Sequence, residues 1–258
     1  MKFEVRDGNF FYDKNHYIFK NVNFEVNKGE VLAILGQNGV GKTTLVKCML
    51  NFLNFKGGRS YLNDINTKNI NLKEFWSDVA YVPQVKRTFA NFSAVELITL
   101  GKNASFNAFK TPSKSDYDEA KSLLDRLNMS HIKDKWAHSM SGGELQMCLI
   151  ARALIIKPKI LVMDEPESNL DFKNQLMILK TIQNLSNNGI SIILNTHYIE
   201  HALEISHKSL LMKKGESAIF GKSSEIITED ILSKIYDVDI IIKNFDIKNE
   251  KKYFIKAV

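Results

Sequence analysis

The sequence predicts an α/β fold built on a mostly parallel sheet. Three short apolar runs, Val31 to Leu35, Ile160 to Met163 and Ile190 to Leu194, read as strands buried on both faces. They alternate with segments of helical periodicity, the pattern of a parallel sheet with helical crossovers. The length of 258 residues suits one large domain, or one domain with a small inserted lobe, whose core needs no disulfide or metal to hold it.

Along the chain, Met1 to Val5 and Phe19 to Val26 alternate apolar and polar residues as short strands do, with turns expected at Asp13-Lys14-Asn15 and Asn27-Lys28-Gly29. The run from Val31 stops at Gly36. A helix is expected from Lys42 to Phe52, ended by Lys56-Gly57-Gly58. Between Ala90 and Ile156 the spacing turns helical, as at Val95, Leu97 and Ile98 and again at Leu123, Leu124 and Leu127, with Lys110 to Ser115 as a polar loop. A helix from Phe172 to Leu185 separates the last two buried runs. The chain closes with a helix, Glu229 to Tyr236, and a hairpin pairing Val238 to Ile242 with Tyr253 to Ala257. No internal repeat or low-complexity tract is present.

A composition of 44% hydrophobic and 25% charged residues with 4 prolines excludes disordered and collagen-like classes. No apolar run approaches the length of a membrane span. Met1-Lys2-Phe3-Glu4 lacks the pattern of a secretory signal, so a cytoplasmic protein is expected. Cys48 and Cys148 give neither a disulfide framework nor a zinc spacing and read as core thiols. The net charge of +6 would permit nucleic acid or an anionic membrane as partner, but the charges are interspersed, as on a solvated mixed surface.

Three motifs carry chemistry. Gly36-Gln37-Asn38-Gly39-Val40-Gly41-Lys42-Thr43, followed by Thr44, matches the phosphate-binding loop and stands after a buried strand and before a helix. Its glycines let backbone N–H groups close around phosphate oxygens, Lys42 adds a point charge, and the Thr43 hydroxyl can ligate Mg²⁺. The strand Ile160 to Met163 ends in Asp164 and Glu165. Successive residues point to opposite faces, which makes Asp164 a group on the metal side and Glu165 a general base. Ser141-Gly142-Gly143-Glu144 opens a helix as a capping box. Its paired glycines also leave N–H groups open to an anion, and spacing alone does not choose between the two.

These motifs, with Tyr81-Val82-Pro83-Gln84, Met140 to Gln146, Ser168-Asn169-Leu170-Asp171 and Asn195-Thr196-His197, stand in the order and spacing of the ATP-binding subunits of ABC transporters, which the chain resembles over nearly its whole length. The resemblance implies a phosphate-loop ATPase core with an N-terminal antiparallel β subdomain over 1–84 and 151–225, an inserted helical subdomain over 85–150, and a C-terminal extension over 226–258. It further implies a head-to-tail homodimer enclosing two ATP molecules, each held by Gly36, Gln37, Asn38, Gly39, Val40, Gly41, Lys42, Thr43 and Thr44 of one chain and by Ser141, Gly142 and Gly143 of the other. Glu165 is then the catalytic base, His197 the γ-phosphate contact, Gln84 a sensor of Mg²⁺ and the attacking water, Thr43 and Asp164 metal-side groups, and Asp171 a residue of the dimer seam. Tyr12 matches the aromatic residue that stacks on adenine, with Phe11 and Tyr17 near enough to compete.

The sequence departs from the family pattern at two places. Met140 replaces the usual Leu, and Glu167 stands where many members carry Thr; Glu167 is expected to face solvent. Segments 91–102, 170–175 and 231–238 are similar to importers of iron-siderophore, haem, cobalamin and molybdate. The implied protein is a peripheral ATPase on the cytoplasmic face of the membrane, docked on a separate permease and served indirectly by a substrate-binding protein, with ATP and Mg²⁺ but no nucleic acid. The alternative, a soluble ABC ATPase acting on nucleic acid or ribosomes, would be expected to join two cassettes or insert a coiled coil. A non-catalytic regulator would be expected to lose Glu165 or His197.

Overall fold

The computed structural model describes residues 1–13, 16–84, 91–105, 111–247 and 250–258. Lys14 and Asn15 of the first expected turn, residues 85–90 at the start of the expected helical subdomain, and Lys110 of the expected loop lie outside them. The chain falls into two compact units, residues 1–70 with 185–258, and residues 71–184.

In the first unit β1 (Phe3–Asp13) and β2 (His16–Val26) pair antiparallel, and β3 (Val31–Gly36) follows with every residue buried. Next come α1 (Lys42–Met49), β4 (Gly57–Leu62) and β5 (Ile65–Asn66), which complete an antiparallel sheet of order β2-β1-β4-β5. Helix α1 ends earlier than its sequence suggested. Asn51 takes a left-handed φ of 60° just beyond it, and Gly57 and Gly58 belong to β4. Glycine is required at 58, where φ is 71° and a Cβ would lie 2.1 Å from the Asp7 carbonyl oxygen. Strand β1 is also longer than expected, running on through bulges beyond Val5.

The second unit opens with α2 (Leu72–Asp78) and β6 (Val79–Val82). Then α3 (Ala94–Thr99), α4 (Lys114–Arg126) and α5 (Gly142–Leu154) pack on one another through buried Ala94, Leu97, Ile98, Ala120, Leu124, Cys148 and Leu149. Ser93 and Ser141 each form a capping box that fixes where α3 and α5 begin. Strand β7 (Ile160–Asp164), wholly buried, pairs parallel with β6, Tyr81 facing Val162 and Val82 facing Met163.

Helix α6 (Phe172–Asn187) leads the chain back to the first unit. There follow β8 (Ser191–Asn195), α7 (Ile199–Ile205), β9 (Lys208–Met212), β10 (Ile219–Lys222), α8 (Ser223–Ile226), α9 (Glu229–Tyr236) and the hairpin β11 (Ile240–Ile247) with β12 (Glu250–Ala257). Strand β3 lies between β8 and β9, parallel to both. Ala33 and Leu35 of β3 share a core with Ile199 and Ala202 of α7, Leu211 of β9, Leu232 and Ile235 of α9, and Ile240 of β11. The two cysteines are fully buried, and burial pushes both thiols up to about 12. Among the described residues no helix is long and apolar enough to cross a membrane.

Ile34 is fully buried at the centre of β3, so Ile34→Ala should lower the unfolding free energy by about 2–5 kcal/mol, measurable by urea titration.

Candidate active site

In the first unit the buried strand β3 delivers the chain to the phosphate loop. Gly36 has φ 148°, and a Cβ there would lie 2.3 Å from the Met212 carbonyl oxygen on the adjacent strand; only glycine fits. Gly41, at φ 109°, is the N-cap of α1, and a Cβ would meet Ile18 Cγ2 at 2.3 Å. Gly41 offers α1 no capping side chain of its own, and the N-terminus of α1 is the positive end of the helix dipole. The Lys42 side chain is buried and folds back over the loop, donating to the Gly36 carbonyl at 2.7 Å and to the Gln37 carbonyl at 3.2 Å. Gln37, Asn38, Gly39 and Thr43 are exposed, Thr44 half-buried and Val40 buried beneath the loop.

His197 reaches this side of the same unit from β8. The register pairs Ile34 with Asn195, and the Thr196 N–H donates to the Ile34 carbonyl at 3.2 Å. The exposed His197 ring rests on Tyr198, centroids 4.1 Å apart. Tyr12 is 74% exposed, its ring touched edge-on by Phe10. Phe11 and Tyr17 pack against each other, centroids 5.1 Å apart, and both are half-buried, so of the three aromatics Tyr12 presents the most open ring.

The second unit gathers the carboxylates. Asp164 ends β7 nearly buried, and the Tyr81 hydroxyl donates to its Oδ2 at 3.4 Å. Burial, followed by the Asp164 charge, pushes the Tyr81 phenol well above its ordinary value. Glu165 stands in the left-handed region at φ 48°, a strained conformation for its residue type. Its Oε2 accepts from Gln84 Nε2 at 2.9 Å and from Ser168 Oγ at 3.1 Å, and the Ser168 N–H donates to its carbonyl at 3.2 Å. Gln84 and Glu165, distant in sequence, are thereby brought together.

Ser141 caps α5, its Oγ accepting from the Glu144 N–H at 3.2 Å while Glu144 Oε2 accepts from the Ser141 N–H at 2.8 Å. The paired glycines have a packing reason as well. A Cβ at Gly143 would lie 2.2 Å from Asn174 Cγ, and the Asn174 amide is held by Asp171 Oδ2 at 3.0 Å. Asp171 also accepts from the Asn174 N–H at 2.8 Å, capping the start of α6. Glu167, expected in solvent, is instead fully buried. The turn after β7 folds beneath α6, where Gln175 donates to the Glu167 carbonyl at 3.4 Å. Tyr81, Ser168 and Asn174 were not singled out in sequence, because each acts through a neighbour that carries the recognisable motif.

In the first unit Thr43 offers a hydroxyl, and in the second Gln84 and Asp164 offer an amide and a carboxylate, each a hard oxygen donor of the kind Mg²⁺ takes. Among the described residues no cluster of three or more His, Cys, Asp or Glu side chains could hold a metal by itself.

Strand, glycine loop and helix in one unit, and a strand ending in paired carboxylates in the other, define a nucleotide-hydrolysing phosphate-loop protein. The ABC transporter family matches residues 19–168. The chain is 36% identical to an ABC transporter ATP-binding protein of Methanocaldococcus jannaschii over 92% of each chain. It is 31% identical to a molybdate import ATP-binding protein of Haemophilus influenzae, covering 90% of this chain and 87% of that one. With an iron chelatin transport ATP-binding protein of Helicobacter pylori the identity is 32%, over 93% and 94%. A metal-chelate type ABC transporter in an inward-facing conformation superposes with a TM-score of 0.88 at 28% identity, over 99% of this chain and 97% of that one. The chain therefore belongs to the ABC transporter family and is an ATPase of that family, with the α/β fold its sequence predicts.

Ser141→Ala should cost about 1 kcal/mol of stability through loss of the cap, read as a shift in the urea midpoint, whatever it does to nucleotide.

Proposed function

We propose that the chain is the ATP-hydrolysing subunit of a membrane importer. It works as a head-to-tail homodimer on the cytoplasmic face of the cell membrane, docked on separate permease subunits that a substrate-binding protein supplies. The absence of a span-length helix among the described residues, in a chain of a transporter family, is what calls for a permease partner. The relatives' names, molybdate, iron chelatin and iron(3+)-hydroxamate import among them, support a metal chelate as the cargo, with iron-siderophore first.

The backbone N–H groups of residues 36 to 44 and the Lys42 ammonium hold the phosphates, and Tyr12 stacks on adenine. Glu165 accepts the proton of the attacking water, whose position Gln84 sets, and His197 contacts the γ-phosphate. Mg²⁺, held through Thr43, Gln84 and Asp164, would offset phosphate charge. Ser141, Gly142 and Gly143 serve the nucleotide of the other copy, with Asp171 at the seam. The observation that carries the reading is the Gln84 amide bonded to a Glu165 whose backbone is held in a strained conformation, an arrangement folding alone does not call for. Hypothesised roles for the domain segments follow the same reading: 1–84 with 151–225 binds nucleotide, and 85–150 relays closure to the permease.

Glu165→Gln should bind ATP with near-native affinity while turnover falls about 10²- to 10⁴-fold; wild-type turnover would remove Glu165 from the role. Lys42→Ala should lose most ATP affinity, and unchanged binding by calorimetry would sink the loop assignment. Tagged Glu165→Gln protein, purified with ATP from gently solubilised membranes, should bring a polytopic permease with it. Recovery of ribosomes or nucleic acid instead would favour the soluble alternative.

A further inference from the structure

Lys213 directly follows Met212, the β9 residue paired with Gly36. Its ammonium donates to Asp237 Oδ1 at 2.8 Å and to the Lys234 carbonyl at 2.7 Å. It thus closes the end of α9, where Asp237 is the C-cap in the left-handed conformation at φ 56°. The other oxygen of Asp237, Oδ2, accepts from Gln37 Nε2 at 3.3 Å. Gln37 is the first residue after Gly36, and its carbonyl is one of the two that receive the Lys42 ammonium. Below this contact α9 is anchored by Leu232 and Ile235, which share a core with Ala33 and Leu35 of the strand feeding the loop. The Tyr236 hydroxyl is buried with the Gly36 backbone facing it. Loop, strand and C-terminal turn are therefore joined by side chains from four elements.

We infer that the Tyr236-Asp237 turn is a positioning brace for the phosphate loop: Asp237 holds Gln37, and through Gln37 one of the carbonyls that seats Lys42, in the arrangement that receives phosphate. The inference rests on the reading of residues 36 to 44 as the ATP phosphate site. Asp237 is a positioning residue and touches no substrate. A carboxylate beside a site for a polyanion would repel it if left alone, and Lys213 supplies the compensating charge. Lys213 also keeps the carboxylate ionised by holding its pKa below the usual range. The turn lies outside residues 19–168, the stretch matched to the family.

The test has two arms on the full chain. In the first, hydrogen exchange is followed in nucleotide-free protein for peptides spanning residues 36 to 42. Asp237→Ala should speed their exchange, while Asp237→Asn, which keeps an oxygen for Gln37, should restore most of the protection. In the second, ATPase kinetics should show KM for ATP rising roughly three- to tenfold in Asp237→Ala, the size of one hydrogen bond, with kcat within about twofold. Lys213→Ala should raise KM further, because it leaves the carboxylate uncompensated, and adding Asp237→Asn to it should bring KM back. Loop exchange in Asp237→Ala equal to wild type would overturn the brace whatever the ATPase does. So would a loss of thermal stability and kcat with KM unmoved, the signature of a merely structural contact. If wild-type protein failed to bind ATP, the proposed function would fall, and the exchange arm would still decide the brace.

Discussion

Under the proposed function residues 36 to 44 hold a polyphosphate, which needs backbone N–H groups that no side chain intrudes upon, and the packing around the loop is consistent with that requirement. The strand that feeds the loop is buried along its whole length, so its direction is fixed by packing. It ends at Gly36 because the next strand's Met212 carbonyl occupies the place of a side chain. Gly41 answers a different demand, since its φ of 109° turns the chain into α1. Lys42 is drawn in over the carbonyls of Gly36 and Gln37, bringing its charge back onto the loop. A cation buried there is tolerable because those carbonyl dipoles solvate it.

The carboxylate end of β7 obeys a related logic. The left-handed backbone at Glu165 carries a local cost of order 1–3 kcal/mol, and the surroundings over-determine it. Gln84 and Ser168 bind the side chain, and the Ser168 N–H binds the carbonyl. A side chain so restrained points one way, as the general base proposed at Glu165 would have to. The glycine at 143 extends the same tight packing, since the Asn174 amide set by Asp171 occupies the position a Cβ would take.

Much of this was legible in the sequence because the determining interactions are local. Buried strands announce themselves as apolar runs, and the loop and the capping box are spacings of a few residues whose meaning is set by backbone geometry. Where the reading departed from the structure, a distant partner was the cause. Gly57 and Gly58 looked like a helix stop, yet the Asp7 carbonyl pressing on Gly58 makes them the start of β4. Glu167 looked like a surface charge, but α6 folds over its turn and buries it. Tyr81 stood in the sequence only as a neighbour of Gln84 with no role of its own, because its hydroxyl matters only once β6 lies beside β7 and brings it to Asp164.

The same distinction explains how the C-terminal segment bears on nucleotide chemistry. The stretch matched to the family ends at residue 168, but the loop at residues 36 to 44 that it contains is not self-sufficient. Gly36 is held by pairing to β9, the strand is packed by α7 and α9, and Gln37 is tied to Asp237. Each of these partners comes from residues 185–258. A loop whose amides must be in place before phosphate arrives cannot draw its order from the ligand. It must draw that order from structure already formed, and here the structure comes from the far end of the chain. Under the proposed function, changes after residue 225 should therefore reach ATP binding through the position of Gly36 and Gln37.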